Sequence, residues 1–350
     1  MNDTQVNNRQ IQLLNYLLIN PESSRLELER SLEGESGSRI TIIRDLNYLI
    51  DKGWIVQIGG GKYVKYQLKS KRELLIPVNI NNYFLKTTDL RNIRYPRFNF
   101  KLVDNLTELF SNKELNLFEE GKKKLKNKFE TIDKTLLRRE LERFTIELSW
   151  KSSQIEGNTY SLLETEELIK NKKEAKGHDK NEAIMILNHK NAFDTILEKR
   201  NHFKKIGILD IRSIHSELVK DLEIKSGIRE SGVGITGTKY LPLDNKWQIE
   251  EALAKLVDHT HKINNAPEKA LIYLAMIAYL QPFTDGNKRT SRMISNAILL
   301  ANSYFPLSYR SVDEVEYKKA LILFYEQNNI YHLKRIFLEQ QKFAIDNYFL

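Results

Sequence analysis

The 350-residue sequence contains no cysteine, which excludes disulfide bonds and thiolate metal sites. No stretch approaches 18 uninterrupted apolar residues, so no transmembrane helix is predicted. The first four residues, MNDT, are polar and lack the apolar core of a secretory signal. The histidines are scattered, without the HExxH spacing of a zinc protease. We therefore expect a cytoplasmic protein with no membrane partner.

The composition is that of a folded protein with a substantial core. Apolar residues make up 41% of the chain, whose length suits two domains or one large one. The formal net charge is +9, and most of the excess lies in residues 71–150, which hold 17 basic and 12 acidic residues. The basic run at residues 122–128 is interpreted as a solvated helix face, with a nucleic-acid contact as the alternative.

The first 70 residues have the pattern of three short helices followed by a β-hairpin. Helical periodicity covers residues 10–19, 25–32 and 39–51, and a turn is expected at residues 34–38. Two strands are predicted at residues 54–58 and 63–68, joined by three glycines. The inward side chains of the second and third helices are predicted to be Leu26, Leu28, Ile42, Ile43, Leu46, Leu49 and Ile50.

This order of elements resembles a winged helix-turn-helix domain, whose third helix enters the major groove of duplex DNA. The resemblance implies a DNA-facing surface formed by Arg39, Thr41, Arg44, Asn47, Lys62 and Lys65. Residues 1–70 hold nine basic and eight acidic residues, a net charge of only +1, which is weaker than the basic footprint of a strong DNA binder. A protein-contact or dimerisation role is therefore the alternative to DNA binding.

A connector and a helical body are expected after this domain. Residues 71–97 contain two prolines and little periodicity, so they are predicted to form a surface connector. Residues 98–145 are predicted to begin the helical body, and residues 146–350 to complete it. Near the start of that second part, a helix is predicted to end at Gly157. Ser152 and Glu156 then lie one turn apart on the same face.

The most informative stretch runs from residue 279 to residue 292. An apolar helix stops at a proline, a polar turn follows, and a second apolar-periodic helix begins. Gly286 permits a backbone geometry that a side chain would disfavour. The free N–H groups at the start of the second helix form an anion site, and Arg289 and Arg292 share a helix face. The stretch is therefore suited to a polyphosphate with a divalent cation.

Two further features flank this stretch. The glycine-rich segment at residues 227–242 predicts a short hairpin or flap. Its GxGxxG-like spacing lacks a strand-to-helix context, so no dinucleotide fold is predicted. His215 lies at helical spacing among apolar residues and is predicted to be a core histidine.

The stretch from Gln281 to Arg292 resembles the core motif of the Fic (Fido) family, His-Pro-Phe-x-Asp-Gly-Asn-x-Arg-x-x-Arg. The order of the other segments is also similar: a Ser-x-x-x-Glu-Gly segment, a flap, the loop and a helical tail. The resemblance extends over roughly residues 98–345. It implies a mainly α fold in which a Fic-type helical core with a small β-hairpin flap follows the winged-helix domain, with its three helices and two-stranded wing.

Fic proteins commonly transfer AMP from ATP to a protein hydroxyl. The resemblance therefore implies ATP, Mg²⁺ and a protein substrate with a Ser, Thr or Tyr hydroxyl, which includes this chain itself. Asp285 is expected to hold Mg²⁺, because hard cations prefer carboxylate oxygen, and Arg289 and Arg292 to bind the β and γ phosphates through their planar guanidinium groups. The other implied nucleotide-site residues are Phe283 as the anchor of the loop, Gly286, Asn287 and Lys288 around the α and β phosphates, and Tyr317 against the adenine. The flap that would align a target peptide by strand addition comprises Ile235, Thr236, Gly237, Thr238, Lys239 and Tyr240.

The segment from Ser152 to Gly157 resembles the inhibitory motif of the same family. In that family, a glutamate at the position of Glu156 pairs with an arginine at the position of Arg292 and denies it to the γ phosphate. The resemblance therefore implies self-inhibition by a helix that precedes the core.

The sequence departs from the family motif at Gln281, where the family has a histidine that acts as general base. A glutamine amide orients a hydroxyl but does not accept its proton at neutral pH. Loss of a general base typically costs about 10²–10⁴-fold in rate. A natural pseudoenzyme, a base supplied by another group and an engineered substitution are the three explanations that the sequence leaves open.

Two classes of function therefore follow from the sequence. The first is a Fic-type protein adenylyltransferase, or a catalytically impaired relative that binds ATP. The second is a nucleotide-sensing transcriptional regulator or DNA-binding pseudoenzyme that uses the winged helix as its output. A homodimer is compatible with both, because winged helices and Fic cores often dimerise.

Overall fold

The computed structural model of the protein describes residues 6–32 and 38–349. Three helices and a small antiparallel sheet form the N-terminal domain. These elements are α1 (Asn8–Ile19), β1 (Ser23–Ser24), α2 (Arg25–Arg30), α3 (Arg39–Asp51), β2 (Ile55–Ile58) and β3 (Lys65–Leu68). Strand β3 lies in the middle of the sheet, between β1 and β2.

The N-terminal helices and hairpin occur in the predicted order, with differences in detail. Leu26 and Ile43 were predicted to face inward, but they are 48% and 37% exposed. Each helical residue is rotated by about 100° from the one before it, so Leu26 cannot share a face with the buried Leu28, and Ile43 turns away from the buried Ile42. The two-residue strand β1 was not predicted. Except for its last residue, the predicted turn at residues 34–38 lies outside the described residues.

The connector lies against the helical body and contains two short helices, α4 (Ser70–Glu73) and α5 (Ile80–Leu85). Backbone and side-chain hydrogen bonds fix it there. The N–H group of Ile330 donates to the carbonyl of Leu74 at 2.8 Å, and the Asn329 amide donates to the carbonyl of Ile76 at 2.8 Å. Residues 71–97 are therefore an ordered part of the body surface.

The body is helical, which confirms the predicted fold class at the level of a mainly α protein. Its helices are α6 (Leu102–Asn105), α7 (Asn112–Thr131), α8 (Lys134–Gln154), α9 (Leu162–Asn171), α10 (Lys180–Glu198), α11 (Ile208–Leu218), α12 (Lys246–Lys262), α13 (Ala266–Leu280), α14 (Asn287–Ala301), α15 (Glu314–Gln327) and α16 (Tyr331–Asn347). Among the described residues, no helix is long and apolar enough to cross a membrane.

Helix α13 is the centre of the body. It is apolar on all sides, and its residues from Ala270 to Leu280 are all buried, which is the pattern of a core helix. It packs against α14, and α14 also contacts α8, α10 and α11. The short loop between α13 and α14 is therefore held between several helices, and this loop carries the motif found in the sequence.

The predicted β-hairpin flap is wrong. Over residues 227–242, which the structure describes completely, the only ladder contact is an isolated parallel bridge between Leu241 and Arg97. The segment turns at Gly237, whose φ is +86°. A hairpin does not form because the hydrogen bonds go elsewhere: the N–H group of Leu241 donates to the carbonyl of Pro96 at 2.9 Å.

Candidate functional site

The loop between α13 and α14 has left-handed backbone at both of its ends. Gln281 ends α13 with φ +49° and ψ +59°, and Gly286 precedes α14 with φ +77°. A Cβ atom at Gly286 would lie 3.0 Å from Cγ1 of Val219. Both the conformation and the close approach therefore favour glycine at this position. The N–H groups of the first turn of α14 begin directly after it.

Asn287 closes this loop with its side-chain amide. Its Oδ1 accepts from the N–H group of Phe283 at 2.8 Å. Its Nδ2 donates to the carbonyl of Phe283 at 2.8 Å and to Oε1 of Gln281 at 2.9 Å. The sequence predicted an amide donor for a phosphate, whereas the structure uses this amide to hold the loop in its curved shape.

Gln281 has no free side-chain group in this arrangement. Its Nε2 donates to the carbonyl of Ala278 at 2.6 Å, while its Oε1 accepts from Asn287. Arg229, which is itself buried, donates from Nε to the main-chain carbonyl of Gln281 at 2.6 Å. The residue at the position of the family's general base is thus fixed at its side chain and at its backbone.

Phe283 is fully buried, as the prediction of a loop anchor requires. Its ring stacks on the imidazole of His215 at a centroid distance of 3.6 Å and an angle of 6°. Nε2 of His215 donates to the carbonyl of Asp285 at 3.0 Å. Burial lowers the pKa of His215 to about 4, so the ring is neutral. His215 is therefore a core histidine, and its contacts with Phe283 and with the carbonyl of Asp285 stabilise the loop.

Arg292 is buried and contacts both the last turn of α8 and the turn that follows this helix. Its Nη2 donates to Oε1 of Glu156 at 2.9 Å and to the carbonyl of Ser152 at 2.9 Å. Its Nε donates to Oγ of Ser152, also at 2.9 Å. Helix α8 ends at Gln154, three residues before the predicted end, so Glu156 lies in the turn after the helix. Gly157 completes that turn with φ +101°.

Lys288 is the second cation on Glu156. Its Nζ lies 3.0 Å from Oε2 of that carboxylate, so each carboxylate oxygen has one cationic partner. Burial alone would raise the pKa of Glu156, but the charges of Arg292 and Lys288 outweigh it and hold this pKa at about 2. Lys288 was predicted to contact phosphates, and in this structure it pairs with Glu156.

Ser152 links this cluster to His189, which the sequence did not identify as part of the site. Nδ1 of His189 lies 2.8 Å from the carbonyl of Met185 and therefore carries the proton. Its Nε2 then accepts from the hydroxyl of Ser152 at 2.9 Å. Burial, together with the charge of Arg289, lowers the pKa of His189 to about 3. The neutral ring orients the hydroxyl so that its oxygen is free to accept from Arg292.

Arg289 and Asp285 form an ion pair at the junction of the loop and α14. Nη2 of Arg289 lies 3.3 Å from Oδ2 of Asp285, and Nη1 donates to the carbonyl of Leu218 at 3.4 Å. The Arg289 side chain is almost fully buried, whereas the Asp285 side chain is 68% exposed. Burial lowers the pKa of Arg289. A buried guanidinium and an accessible carboxylate therefore lie side by side.

Asp285 fits a magnesium ion that also binds phosphate oxygens. The described residues contain no cluster of three or more His, Cys, Asp or Glu side chains that could hold a metal alone. Mg²⁺ commonly binds through one or two carboxylates together with substrate phosphates and water. One exposed carboxylate beside a helix N-terminus matches that arrangement.

Tyr317 does not occupy the position that was predicted for it. Its side chain is fully buried, and its ring lies under Arg292, with 5.7 Å from the guanidinium carbon to the ring centroid. An adenine ring therefore has no access to it. Tyr317 instead supports the buried arginine from the side of α15.

The remaining predicted site residues lie in two other regions. Residues 235–240 form the turn described above, away from strand pairing. On α3, the side chains of Arg39, Arg44 and Asn47 are exposed and that of Thr41 is half-buried. Lys65 on β3 is exposed, and the side chain of Lys62 lies outside the described part of the structure.

Comparisons with known proteins identify similarity to Fic proteins in the part of the chain that contains this loop. A model of the Fic/DOC family matches residues 205–299. Protein adenylyltransferase fic-1 of Caenorhabditis briggsae is 26% identical over 208 residues, which are 56% of this chain and 40% of that protein. Protein adenylyltransferase Fic of Aedes aegypti is 30% identical over 171 residues, which are 45% of this chain and 32% of that protein. The matches thus span about a third to two fifths of these relatives.

Two solved structures have a similar fold. Fic-1 (residues 134–508) from C. elegans has a TM-score of 0.54 at 20% identity, covering 70% of this chain and 78% of that one. A Fic-domain signaling protein from Bacteroides thetaiotaomicron has a TM-score of 0.53 at 20% identity, covering 65% and 96%. Residues 205–299 thus match the Fic/DOC family model, and the fold of the chain is similar to that of solved Fic structures.

Proposed function

We propose that this chain is a Fic-type protein adenylyltransferase, or a catalytically impaired relative, which binds ATP and is restrained by Glu156. The names of its relatives support the reaction class. The observation that carries the proposal is the pairing of one carboxylate, only 16% exposed, with Arg292 and Lys288 of α14 at 2.9 and 3.0 Å. A triphosphate is also an anion and would compete with this carboxylate for the same two cations.

The nucleotide would bind at the start of α14. The free N–H groups of its first turn suit the α and β phosphates, and Arg289 and Arg292 suit the terminal ones. Mg²⁺, when bound to Asp285 and the phosphates, supplies charge neutralisation on the leaving pyrophosphate. The loop residues Asn287 and Phe283 contribute shape, because their mutual hydrogen bonds fix where the N–H groups point.

Restraint follows from competition for Arg292. While Glu156 accepts its Nη2, a γ phosphate must displace a carboxylate that already holds two cations. Arg292 is almost fully buried, so the γ phosphate has to compensate for the loss of the Glu156 pair at this guanidinium. Loss of Glu156 frees both cations for phosphate.

Removal of the proton from the attacking hydroxyl is the step for which this chain lacks the usual residue. In the transfer, the hydroxyl oxygen attacks the α phosphorus, pyrophosphate leaves, and the proton must go to a base. Gln281 offers no basic nitrogen, and both ends of its amide are engaged. We therefore expect ATP binding to persist and AMP transfer to be slow, by about 10²–10⁴-fold relative to a histidine enzyme.

Four proteins test this proposal: the parent chain, Glu156→Gly, Gln281→His and the double variant. Isothermal calorimetry measures ATP–Mg²⁺ binding, and radiolabelled ATP measures AMP transfer to protein. We expect tighter ATP binding with Glu156→Gly and strong transfer only in the double variant. The proposal is refuted if none of the four binds ATP. Glu166→Gln, at an exposed pair with Lys170, is the matched control and should behave as the parent.

A second candidate is a nucleotide-sensing regulator in which the N-terminal domain binds duplex DNA. The exposed Arg39, Arg44 and Asn47 on α3 favour it, because the third helix is the reading element of a winged helix. A mobility shift on duplex DNA at increasing salt, with Arg44→Ala beside the parent, tests it. Phosphate contacts should give binding at low salt, so an absent shift there removes this candidate.

A further inference from the structure

We infer that Arg91 of the connector and Glu326 of α15 are positioning residues that hold the flap segment, residues 235–241, in place. The inference rests on the proposed function and adds to it that this turn segment, although it forms no hairpin, aligns the acceptor hydroxyl of a protein target. It assigns to the connector a task beyond joining two domains.

The carboxylate of Glu326 is the centre of the contact. Its side chain is fully buried. Oε1 accepts from Nη2 of Arg91 at 2.8 Å and from the hydroxyl of Thr238 at 2.6 Å. Oε2 accepts from Nε of Arg91 at 3.0 Å and from the hydroxyl of Tyr83 at 2.6 Å. Two groups of the connector and one group of the flap segment thus share one carboxylate.

Arg91 also contacts the flap directly. Its Nη2 donates to the carbonyl of Gly237, at the point where the segment turns. The Arg91 side chain is only 5% exposed, and its guanidinium packs over the ring of Phe84 at 5.0 Å. A bidentate, buried arginine–carboxylate pair is the strong kind of ion pair, so it fixes geometry more firmly than a surface contact.

The hydroxyl of Thr238 connects this carboxylate to the rest of the segment. It donates to Glu326 and accepts from the N–H group of Tyr240 at 3.0 Å. The hydroxyl of Tyr240 in turn donates to the carbonyl of Tyr279 at 2.9 Å. Tyr279 lies in the last turn of α13, two residues before Gln281. The chain of contacts therefore runs from the connector through the flap segment to the helix that ends at the nucleotide loop.

A second contact between the same two segments serves as a comparison. Asp89 of the connector lies 3.0 Å from Lys239 of the flap segment, but both side chains are exposed, by 82% and 51%. Exposed pairs of this kind contribute little to stability, because water and salt screen them. The buried carboxylate, and not this surface pair, is therefore the contact that positions residues 235–241.

The test is hydrogen–deuterium exchange of residues 235–241 in the full chain. Thr238→Val keeps the size of the side chain and removes the hydroxyl, whereas Thr238→Ser keeps the hydroxyl. We expect Thr238→Val to accelerate exchange by at least about tenfold, since hydrogen bonds to charged groups are the strong ones, and Thr238→Ser to stay within about twofold of the parent. Arg91→Gln should accelerate exchange as well, and Asp89→Asn should not.

Function is measured in the background of the Glu156→Gly, Gln281→His double variant. There, Thr238→Val should lower the rate of AMP transfer while leaving the ATP dissociation constant, measured by calorimetry, unchanged. Thr238→Ser should transfer AMP as the background does. Equal exchange in Thr238→Val and Thr238→Ser overturns the inference, as does faster exchange with undiminished transfer. If Arg91→Gln does not fold, the threonine pair decides. If the background itself neither binds ATP nor transfers AMP, the proposed function fails, while the exchange result still decides whether this carboxylate holds the segment.

Discussion

Replacing Glu156 by glutamine is expected to destabilise the ligand-free protein and to strengthen ATP binding at the same time. Glutamine keeps the shape of the side chain and removes its charge from between Arg292 and Lys288. The pKa of Glu156 falls from 4.5 to about 2 in the folded protein. At about 1.4 kcal/mol for each pKa unit, the charged form contributes about 3 kcal/mol to the free energy of unfolding at neutral pH.

That loss has a measurable size in a thermal melt. The entropy of unfolding is about 2.1 cal/mol/K per residue, so for this chain a loss of about 3 kcal/mol lowers Tm by about 4 °C. Saturating ATP–Mg²⁺ should recover most of the difference, because the phosphates replace the missing carboxylate and only the folded state binds them. The rise in Tm on adding ATP should therefore be larger for Glu156→Gln than for the parent.

Circular dichroism melts with and without ATP–Mg²⁺, together with calorimetry, check both halves of this prediction. Glu166→Gln is the control, because its pair with Lys170 is 40% exposed on each side and should change Tm by less than about 1 °C. An unchanged Tm combined with an unchanged ATP dissociation constant would refute the reasoning, since it would mean that the carboxylate neither stabilises the loop nor competes with the nucleotide.

Three further predictions concern the same loop. The stabilisation from Glu156 should be constant above about pH 5 and should be lost as the pH falls toward 2, because a carboxyl group whose pKa is lowered by folding stabilises the folded state only while it is ionised. In urea titrations, the free energies of unfolding of the parent and of Glu156→Gln should therefore converge in acid. Gly286→Ala should lower the free energy of unfolding by about 1–3 kcal/mol, because φ is +77° and the Cβ would meet Val219 at 3.0 Å, and an unchanged urea midpoint would contradict this. Asn287→Ala should cost about 2–4 kcal/mol through three lost buried hydrogen bonds and should weaken ATP binding, measured by calorimetry.

The sequence was sufficient to single out the loop for which nucleotide binding is proposed, because the chemistry of that loop is local. The eleven residues from Pro282 to Arg292 contain the proline that stops the helix, a glycine that permits positive φ and two arginines three residues apart. In the structure, Arg289 lies beside Asp285 on the loop, whereas Arg292 pairs with Glu156. The role of Asn287 was harder to predict, because an amide can serve a phosphate or its own backbone, and only the curvature of the loop decides between them.

Long-range partners were beyond sequence reasoning. Lys288 and Glu156 are 132 residues apart, and nothing in either segment indicates that this lysine turns toward the carboxylate. His189 lacks a metal-like or catalytic spacing, and its contact with Ser152 exists only because α8 and α10 pack together. Tyr317 was placed by analogy with a family, whereas its depth depends on how α15 packs against α13.

The prediction of a β-hairpin at residues 227–242 was wrong for a different physical reason. Alternating glycines predict a turn, but a hairpin also needs a second strand whose hydrogen-bonding groups are free. Here the N–H group of Leu241 donates to the carbonyl of Pro96 in the connector, and the Thr238 hydroxyl donates to Glu326. These partners are remote in sequence, so periodicity within residues 227–242 could not show them.

The proposed inhibitory residue, Glu156, and the residue in place of the general base, Gln281, contact different residues at the same loop. Glu156 acts on Lys288 and Arg292 in α14, while Gln281 ends α13 and contacts Ala278 and Asn287. Because Glu156 and Gln281 share no direct contact, freeing the cations does not supply a base, and supplying a base does not free the cations. In the proposed function, such a protein has a nucleotide site that must lose the Glu156 contacts before it binds ATP productively, and that site still lacks a proton acceptor afterwards. That combination suits slow transfer or nucleotide sensing, and it explains why the double variant, rather than either single one, is the informative protein.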